Sequence, residues 1–164
     1  MQILNHPQLI QKIRRLSIEI LENNYNQKKL ILAGINNNGY QFAELLKQEL
    51  SRLSDIELQL TRIKINPAKP TSEDVAIELD KSEFKNKVVI IVDDVANTGR
   101  TIFFAFKPFM DLITKKIEVA VIIDRMHKSF PIKVDYYGLS LATTLKDNIV
   151  VDLSDENNFT VHLE

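Results

Sequence analysis

Apolar positions along the chain fall into two alternating kinds of pattern. Leu9, Ile10, Ile13, Leu16, Ile20 and Leu21 recur at the three-and-four spacing of one helix face, with Pro7 where a first helical turn tolerates it. Leu30 to Ile35 is a short unbroken apolar run, the mark of a strand. Phe42, Leu45, Leu46, Leu50 and Leu53 return to helical spacing. Ile56, Leu58 and Leu60 then alternate, while Ile63 and Ile65 continue out of phase, which predicts a strand with a bulge. A polar, proline-bearing loop follows from Asn66 to Asp74, then a weak strand over Val75 to Leu79.

Lys87 to Val92 and Ile117 to Ile123 are continuous β-branched runs, expected of strands buried on both faces. Between them Ile102 to Ile113 carries a phenylalanine-rich helical pattern that Pro108 should kink. Ile132 to Tyr137, Ile149 to Leu153 and Phe159 to Leu163 are short alternating pieces, expected as hairpin strands of a small subdomain. The order of elements predicts an α/β fold with a mostly parallel central sheet flanked by helices. The expected division is a core over residues 28–125 and a C-terminal hood over 126–164, joined by the N-terminal segment.

Composition narrows the class. The chain has 164 residues, a net charge of −1 and no cysteine. One domain with a sizeable core is expected. Charge balance gives no general pull toward nucleic acid or anionic membrane, and disulfides and thiolate metal sites are excluded. No apolar run approaches the roughly 20 residues needed to span a bilayer, and the N-terminus does not read as a signal peptide, so the expected location is the cytoplasm.

Parallel sheets bind ligands beyond the carboxyl ends of their strands. Two segments stand there: Gly34 to Gly39, and Asp93 to Thr101. In the second, Ile90 to Val92 run into Asp93 and Asp94, then Val95-Ala96-Asn97-Thr98-Gly99-Arg100-Thr101. Gly99 permits close approach, Thr98 and Thr101 offer hydroxyls, and successive N–H groups before a helix cradle an anion. Two carboxylates repel a phosphate, but they suit a diol or a hydrated Mg2+. A sugar phosphate, specifically a ribose 5-phosphate, satisfies both halves. A Walker-type site fails: Gly34 and Gly39 have the spacing, but Tyr40 and Gln41 stand where Lys and a hydroxyl residue are required.

VVIIVDDVANTGRTI resembles the phosphoribosyl-diphosphate (PRPP) motif of type I phosphoribosyltransferases. DRMHKSFPIKVDYYG, Asp124 to Gly138, and LILAGINNNGYQFAELL are similar to segments of one subgroup, the bifunctional pyrimidine-operon attenuator/uracil phosphoribosyltransferases. The resemblance runs from Leu30 to Leu163. It implies that Asp93 and Asp94 hold the ribose hydroxyls and that Ala96, Asn97, Thr98, Gly99, Arg100 and Thr101 wrap the 5-phosphate. It places Asn36, Asn37, Asn38 and Gly39 on the pyrophosphate loop, and Arg125 at the base. For Tyr136 and Tyr137, stacking on the base and packing in the hood both stand. His127 reads as a surface or structural residue.

The implied reaction transfers the phosphoribosyl group of PRPP to a nucleobase, uracil first, releasing pyrophosphate with Mg2+ as cofactor. Family members commonly self-associate, so a homo-oligomer is expected. Two departures fall on the pyrophosphate side. Asparagines replace the subgroup's Thr-Arg, and TRIKINPAKPTSED replaces its Tyr-Arg-Asp loop, with Arg62, Lys64 and Lys69 as the cations at hand. The alternative is a PRPP- or nucleotide-binding regulator of pyrimidine metabolism with weak or no catalysis, touching RNA through Arg14, Arg15, Lys115, Lys116, Lys128 and Lys133.

Overall fold

The computed structural model describes residues 1–142 and 146–164. Among these, the chain forms a six-stranded sheet, a separate three-stranded sheet and three α-helices. The larger sheet is built from β2 (Lys29–Ile35), β3 (Glu57–Lys64), β4 (Ala76–Ile77), β5 (Val88–Ala96), β6 (Lys116–Arg125) and β7 (Tyr136–Leu141). Its order is β4-β3-β2-β5-β6-β7, parallel throughout except for the β3–β4 pair. The smaller sheet is antiparallel: β1 (Gln2–Leu4), β9 (Thr160–Leu163) and β8 (Ile149–Asp152), in that order.

Both faces of the larger sheet are buried, and the alternation of side chains sorts them. Leu30, Leu32, Val88, Ile90 and Val92 pack on one face with α1 (His6–Asn23) and α2 (Asn36–Leu53). Ile31, Ala33, Val89, Ile91, Val119 and Val121 pack on the other with Phe84, Ile102 and Phe109. The same geometry removes the bulge expected in β3. Its register with β2 is unbroken from Lys29–Glu57 to Ile35–Ile63. Leu58 and Leu60 serve the first face, Ile63 and Ile65 the second, so a regular strand carries two out-of-phase apolar sets.

Local chemistry sets the helix ends. Asn5 caps α1 with a capping box: its Oδ1 accepts the Gln8 N–H at 3.1 Å, and Gln8 Oε1 accepts the Asn5 N–H at 3.0 Å. The phenylalanine-rich segment is broken rather than kinked. Helix α3 (Arg100–Ala105) stops short, and a 3-10 turn over Lys107–Phe109 holds Pro108, whose ring nitrogen cannot donate to a helix ladder.

Two further expectations change. The piece over Ile132 to Tyr137 is not a hood strand; β7 starts at Tyr136 and pairs in parallel with β6. Asp135 prepares that pairing, since its carboxylate accepts the Val119 N–H at 2.8 Å while its own N–H donates to the Val119 carbonyl. The larger sheet therefore reaches Leu141 rather than ending near 125. The smaller sheet draws on β8, β9 and the N-terminal β1.

Candidate functional site

Three parallel strands end side by side, and their carboxyl ends build one crevice. Strand β5 runs beyond Val92 to Ala96, so Asp93 and Asp94 lie within the strand and the connecting turn is only Asn97 to Gly99. Gly99 takes φ +85°, and a Cβ there would stand 2.7 Å from the Ile132 side chain, so glycine is required twice over. The turn is fixed from the far side: the Ser129 and Phe130 N–H groups both donate to the Thr98 carbonyl, at 2.9 and 3.2 Å.

No loop follows β2. Helix α2 starts at Asn36, which adopts φ +51°, a left-handed conformation that asparagine tolerates. The Asn36 amide bonds the backbone of Ile65 in both directions, at 2.9 and 3.0 Å. Gly34 and Gly39 bring this helical turn against the sheet. A Cβ on Gly39 would lie 2.5 Å from the Val92 carbonyl oxygen, and one on Gly34 would lie 2.4 Å from the Tyr40 Cα. Asn36, Asn37, Asn38 and Gly39, the residues expected on the pyrophosphate loop, thus form the first turn of a helix.

The aspartates are held before any ligand arrives. Asp93 Oδ1 accepts the Asp94 N–H at 2.9 Å, and Asp94 Oδ1 accepts the Val95 N–H at 2.8 Å. Asn38 donates its side-chain N–H to Asp94 Oδ2 at 3.1 Å, joining the two segments across the crevice. Asp93 is only 9% exposed. Its burial, reinforced by the adjacent Asp94 charge, pushes its carboxyl well above the ordinary range.

Two lobes share Asp93, and a third adjoins them through Asn97. One, about 530 Å³, lies over Ala96, Asn97, Thr98, Gly99, Arg100 and Thr101, with Ser129 and Phe130 behind. A second, about 400 Å³, lies between Asn36, Asn37 and Asn38 on one side and Asp93 and Asp94 on the other. A third, about 340 Å³, is lined by Arg125, His127, Lys146, Asp147 and Asn148. Asn97 borders all three. The second lobe has no Lys, Arg or His among its described lining residues, whereas the third has three such groups.

Arg125 ends β6 and is 7% exposed; its Nη1 donates to Asn97 Oδ1 at 3.2 Å and to the Asp147 carbonyl at 2.8 Å. Lys128 ties the same corner, donating to Asp124 Oδ1 at 2.6 Å and to the Arg125 carbonyl. Arg100 donates to the Pro67 carbonyl at 2.7 Å, pinning the proline-bearing loop to the first lobe.

The two tyrosines lie elsewhere. Tyr136 and Tyr137 open β7 in register with Ala120 and Val121. Ala120 precedes Arg125 by five residues, roughly 16 Å at about 3.3 Å per residue. Tyr136 is 1% exposed and donates to Glu118 Oε2 at 2.7 Å, so it packs in the core beside the larger sheet rather than in a hood. Tyr137 is exposed at that same distant level. Pro67, Ser129, Phe130, Lys146 and Asn148 were not singled out from the sequence. They reach the crevice through backbone contacts and loop paths that no local pattern encodes.

Most of the paired cations considered for RNA are engaged with acids: Arg14 with Glu49 (3.2 Å), Arg15 with Glu19 (3.8 Å), Lys116 with Glu118 (3.4 Å), Lys128 with Asp124 (2.6 Å) and Lys133 with Asp135 (3.5 Å). Among the described residues, no helix is long and apolar enough to cross a membrane.

A parallel sheet carrying an acidic pair and a glycine turn at its carboxyl edge defines a class, and comparison with known proteins agrees. The family described as "Phosphoribosyl transferase domain" matches residues 1–157, and the chain belongs to it. Within that family it is similar to proteins named "Bifunctional protein PyrR". It is 34% identical to that of Enterococcus faecalis over 151 residues, covering 88% of this chain and 85% of the relative. It is also 34% identical to that of Actinobacillus succinogenes over 160 residues, covering 91% and 89%. Among solved structures, hypoxanthine phosphoribosyl transferase of Trypanosoma cruzi shares the fold with a TM-score of 0.77 at 14% identity, covering 98% of this chain and 90% of that one. A hypoxanthine-guanine phosphoribosyltransferase of Bacillus anthracis does so with a TM-score of 0.70 at 18% identity, covering 85% and 81%.

Proposed function

We propose that the protein transfers the 5-phosphoribosyl group of PRPP to a nucleobase, with uracil as the first acceptor to test. The carrying observation is a crevice in which two lobes share Asp93, with Asp94 lining one of them, and a third lobe at Arg125 adjoins through Asn97. The lobe over Ala96 to Thr101 takes the 5-phosphate through turn N–H groups and the Thr98 and Thr101 hydroxyls. The carboxylates take the ribose diol. The lobe beside Asn36 to Asn38 receives the pyrophosphate, and the lobe at Arg125 receives the base. The choice of uracil rests on the similarity of Asp124 to Gly138 to the uracil-using subgroup and on the relatives named PyrR.

In the reaction a base nitrogen bonds to the anomeric carbon while the bond from that carbon to pyrophosphate breaks. The base N–H proton leaves to solvent. Positioning and charge stabilisation supply most of the acceleration. The acidic pair fits Mg2+: Asp93 resists ionisation where it sits, and no cationic side chain among the described residues lining that lobe offsets the two carboxylates. When bound, Mg2+ neutralises the charge that develops on pyrophosphate. Asp93 and Asp94 would hold it together with ligand oxygens and water.

A second reading has its own support. The cation-free pyrophosphate lobe favours a protein that binds PRPP or a nucleotide and turns over slowly or not at all. RNA contact is no part of either proposal. Pyrophosphate release from PRPP and Mg2+ with uracil, hypoxanthine, guanine, adenine and orotate, each alone, separates the two. Release with one base establishes the transferase and its acceptor. Silence with all five, alongside calorimetric binding of PRPP or a nucleoside monophosphate, makes the binding reading the correct one.

A further inference from the structure

Pyrophosphate is polyanionic, and the lobe proposed for it is lined by two aspartates and four asparagines. Three of those asparagines are already engaged, Asn36 with the Ile65 backbone, Asn38 with Asp94 and Asn97 with Arg125. Charge for the leaving group must come from outside the lobe's resting wall. The adjacent strand β3 carries it. Arg62 pairs in register with Gly34, and Lys64 lies one place beyond the Ile35–Ile63 pair, level with Asn36. Lys64 also directly precedes the Ile65 backbone that Asn36 grips. Strand alternation puts Arg62 and Lys64 on the side of Leu58 and Leu60, the side of α2. Arg62 confirms it: its guanidinium carbon stands 4.3 Å from the ring centroid of Tyr40, which directly follows the first turn of α2.

Neither cation is firmly committed. Both meet the same carboxylate oxygen, Glu78 Oε1, at 3.8 Å each, with Lys64 64% and Glu78 47% exposed. Ion pairs that long and that exposed contribute little. The Arg62 Nε is buried without a hydrogen-bond partner, so this guanidinium has unmet donor capacity. Glu78 is carried by the short edge strand β4 and its connection, where its N–H donates to the Arg62 carbonyl at 3.2 Å.

We propose that Arg62 and Lys64 are the cations that meet the pyrophosphate group of the donor, and that Glu78 holds them beside the lobe until it arrives. The inference rests on the donor reading above. A pyrophosphate competes with one exposed carboxylate for Lys64, and with that carboxylate and the Tyr40 ring for Arg62, and the β3 cations replace the charge that the asparagine turn lacks.

The test compares two ligands that differ in the pyrophosphate. Calorimetry with Mg2+ measures PRPP, inorganic pyrophosphate and uridine monophosphate on the wild type, Lys64→Met, Arg62→Gln and Glu78→Gln. Melting curves confirm that each variant folds. The expected result is about tenfold weaker binding of PRPP and pyrophosphate in Lys64→Met and Arg62→Gln, with uridine monophosphate affinity unchanged. Glu78→Gln should strengthen pyrophosphate binding several-fold, because it frees both cations. Equal losses for all three ligands, or no change in any, overturn the inference while leaving the donor site intact. Failure of the wild type to bind either PRPP or the nucleotide overturns the donor reading and this inference with it.

Discussion

Tyr136 offers a sharp test, because its two readings predict opposite behaviour. In the structure its hydroxyl donates to Glu118 Oε2 at 2.7 Å, and Asn24 donates to Glu118 Oε1 at 2.9 Å and lies 3.4 Å from the same hydroxyl. Lys116 completes the group at 3.4 Å from Glu118. Glu118, Asn24 and Tyr136 are all buried. Tyr136→Phe keeps the ring and removes a bond to a buried carboxylate. Hydrogen bonds to charged groups contribute about 1.5–3 kcal/mol, so a loss of about 2 kcal/mol is expected. At about 2–4 °C per kcal/mol for a chain of this size, the melting temperature should fall by about 4–8 °C. Tyr136→Leu removes ring packing as well and should cost about 3 kcal/mol or more.

Burial and the Glu118 carboxylate push the Tyr136 hydroxyl pKa well up. A raised folded pKa gives stability that is complete below the unfolded value, near 10, and is lost only as pH climbs through the higher folded value. The gap between wild type and Tyr136→Phe should therefore stay constant from pH 6 to pH 9. Urea unfolding measures it, alongside nucleotide binding by calorimetry. Nucleotide affinity should be unchanged in both variants, because Tyr136 pairs with Ala120, five residues along β6 from Arg125. An unchanged unfolding midpoint in Tyr136→Phe, or a loss of affinity in Tyr136→Leu at full stability, would refute the reasoning.

Three further outcomes follow from the site. Asp93→Asn should raise the melting temperature at pH 7.5 while weakening PRPP binding at least tenfold, about 1.4 kcal/mol. Its carboxyl is raised, so its contribution to stability is present below about pH 3.9 and lost as pH rises through the folded value; the variant's advantage should shrink toward pH 4. Gly39→Ala forces a Cβ to within 2.5 Å of the Val92 carbonyl oxygen, which should cost about 1–3 kcal/mol in thermal unfolding and loosen the Asn38–Asp94 link. Chelation of divalent metal should abolish pyrophosphate release and leave nucleoside monophosphate binding measurable by calorimetry, with Mg2+ restoring turnover.

What the sequence disclosed followed burial. Strands β2, β5 and β6 carry apolar side chains on both faces, so their unbroken runs were legible and so was the parallel sheet they imply. The same two-sided burial made β3 misleading, because a change of phase between Leu60 and Ile63 has two physical causes, a bulge or a second buried face. Strand β7 pairs along one edge only, and its Tyr136-Tyr137-Gly138 start carries no apolar run, so its place beside β6 was hidden. At the site, the sequence marked the residues at the ends of β5 and β6. It could not mark the Asn36 turn as helical, since that rests on a positive φ and on an amide reaching 29 residues along the chain to Ile65.

The arrangement around Asp93 and Asp94 bears on which functional reading holds. Asp94 uses one oxygen on the Val95 N–H and the other on Asn38, while Asp93 is anchored through the Asp94 N–H. Neither carboxylate needs to reorganise to meet a ribose diol, and such preorganisation is what lowers a transfer barrier. The phosphate turn is equally set, held by two N–H groups on the Thr98 carbonyl. The half of the crevice proposed for the ribose phosphate is thus ready without ligand. In the half proposed for pyrophosphate, the cations inferred to serve it, Arg62 and Lys64, meet Glu78 in the structure. Binding of a nucleoside monophosphate draws only on the ready half, whereas turnover of PRPP requires the other half to assemble. On the proposed reading, a transferase and a nucleotide-binding regulator differ in one step, the transfer of Arg62 and Lys64 from Glu78 to the leaving group.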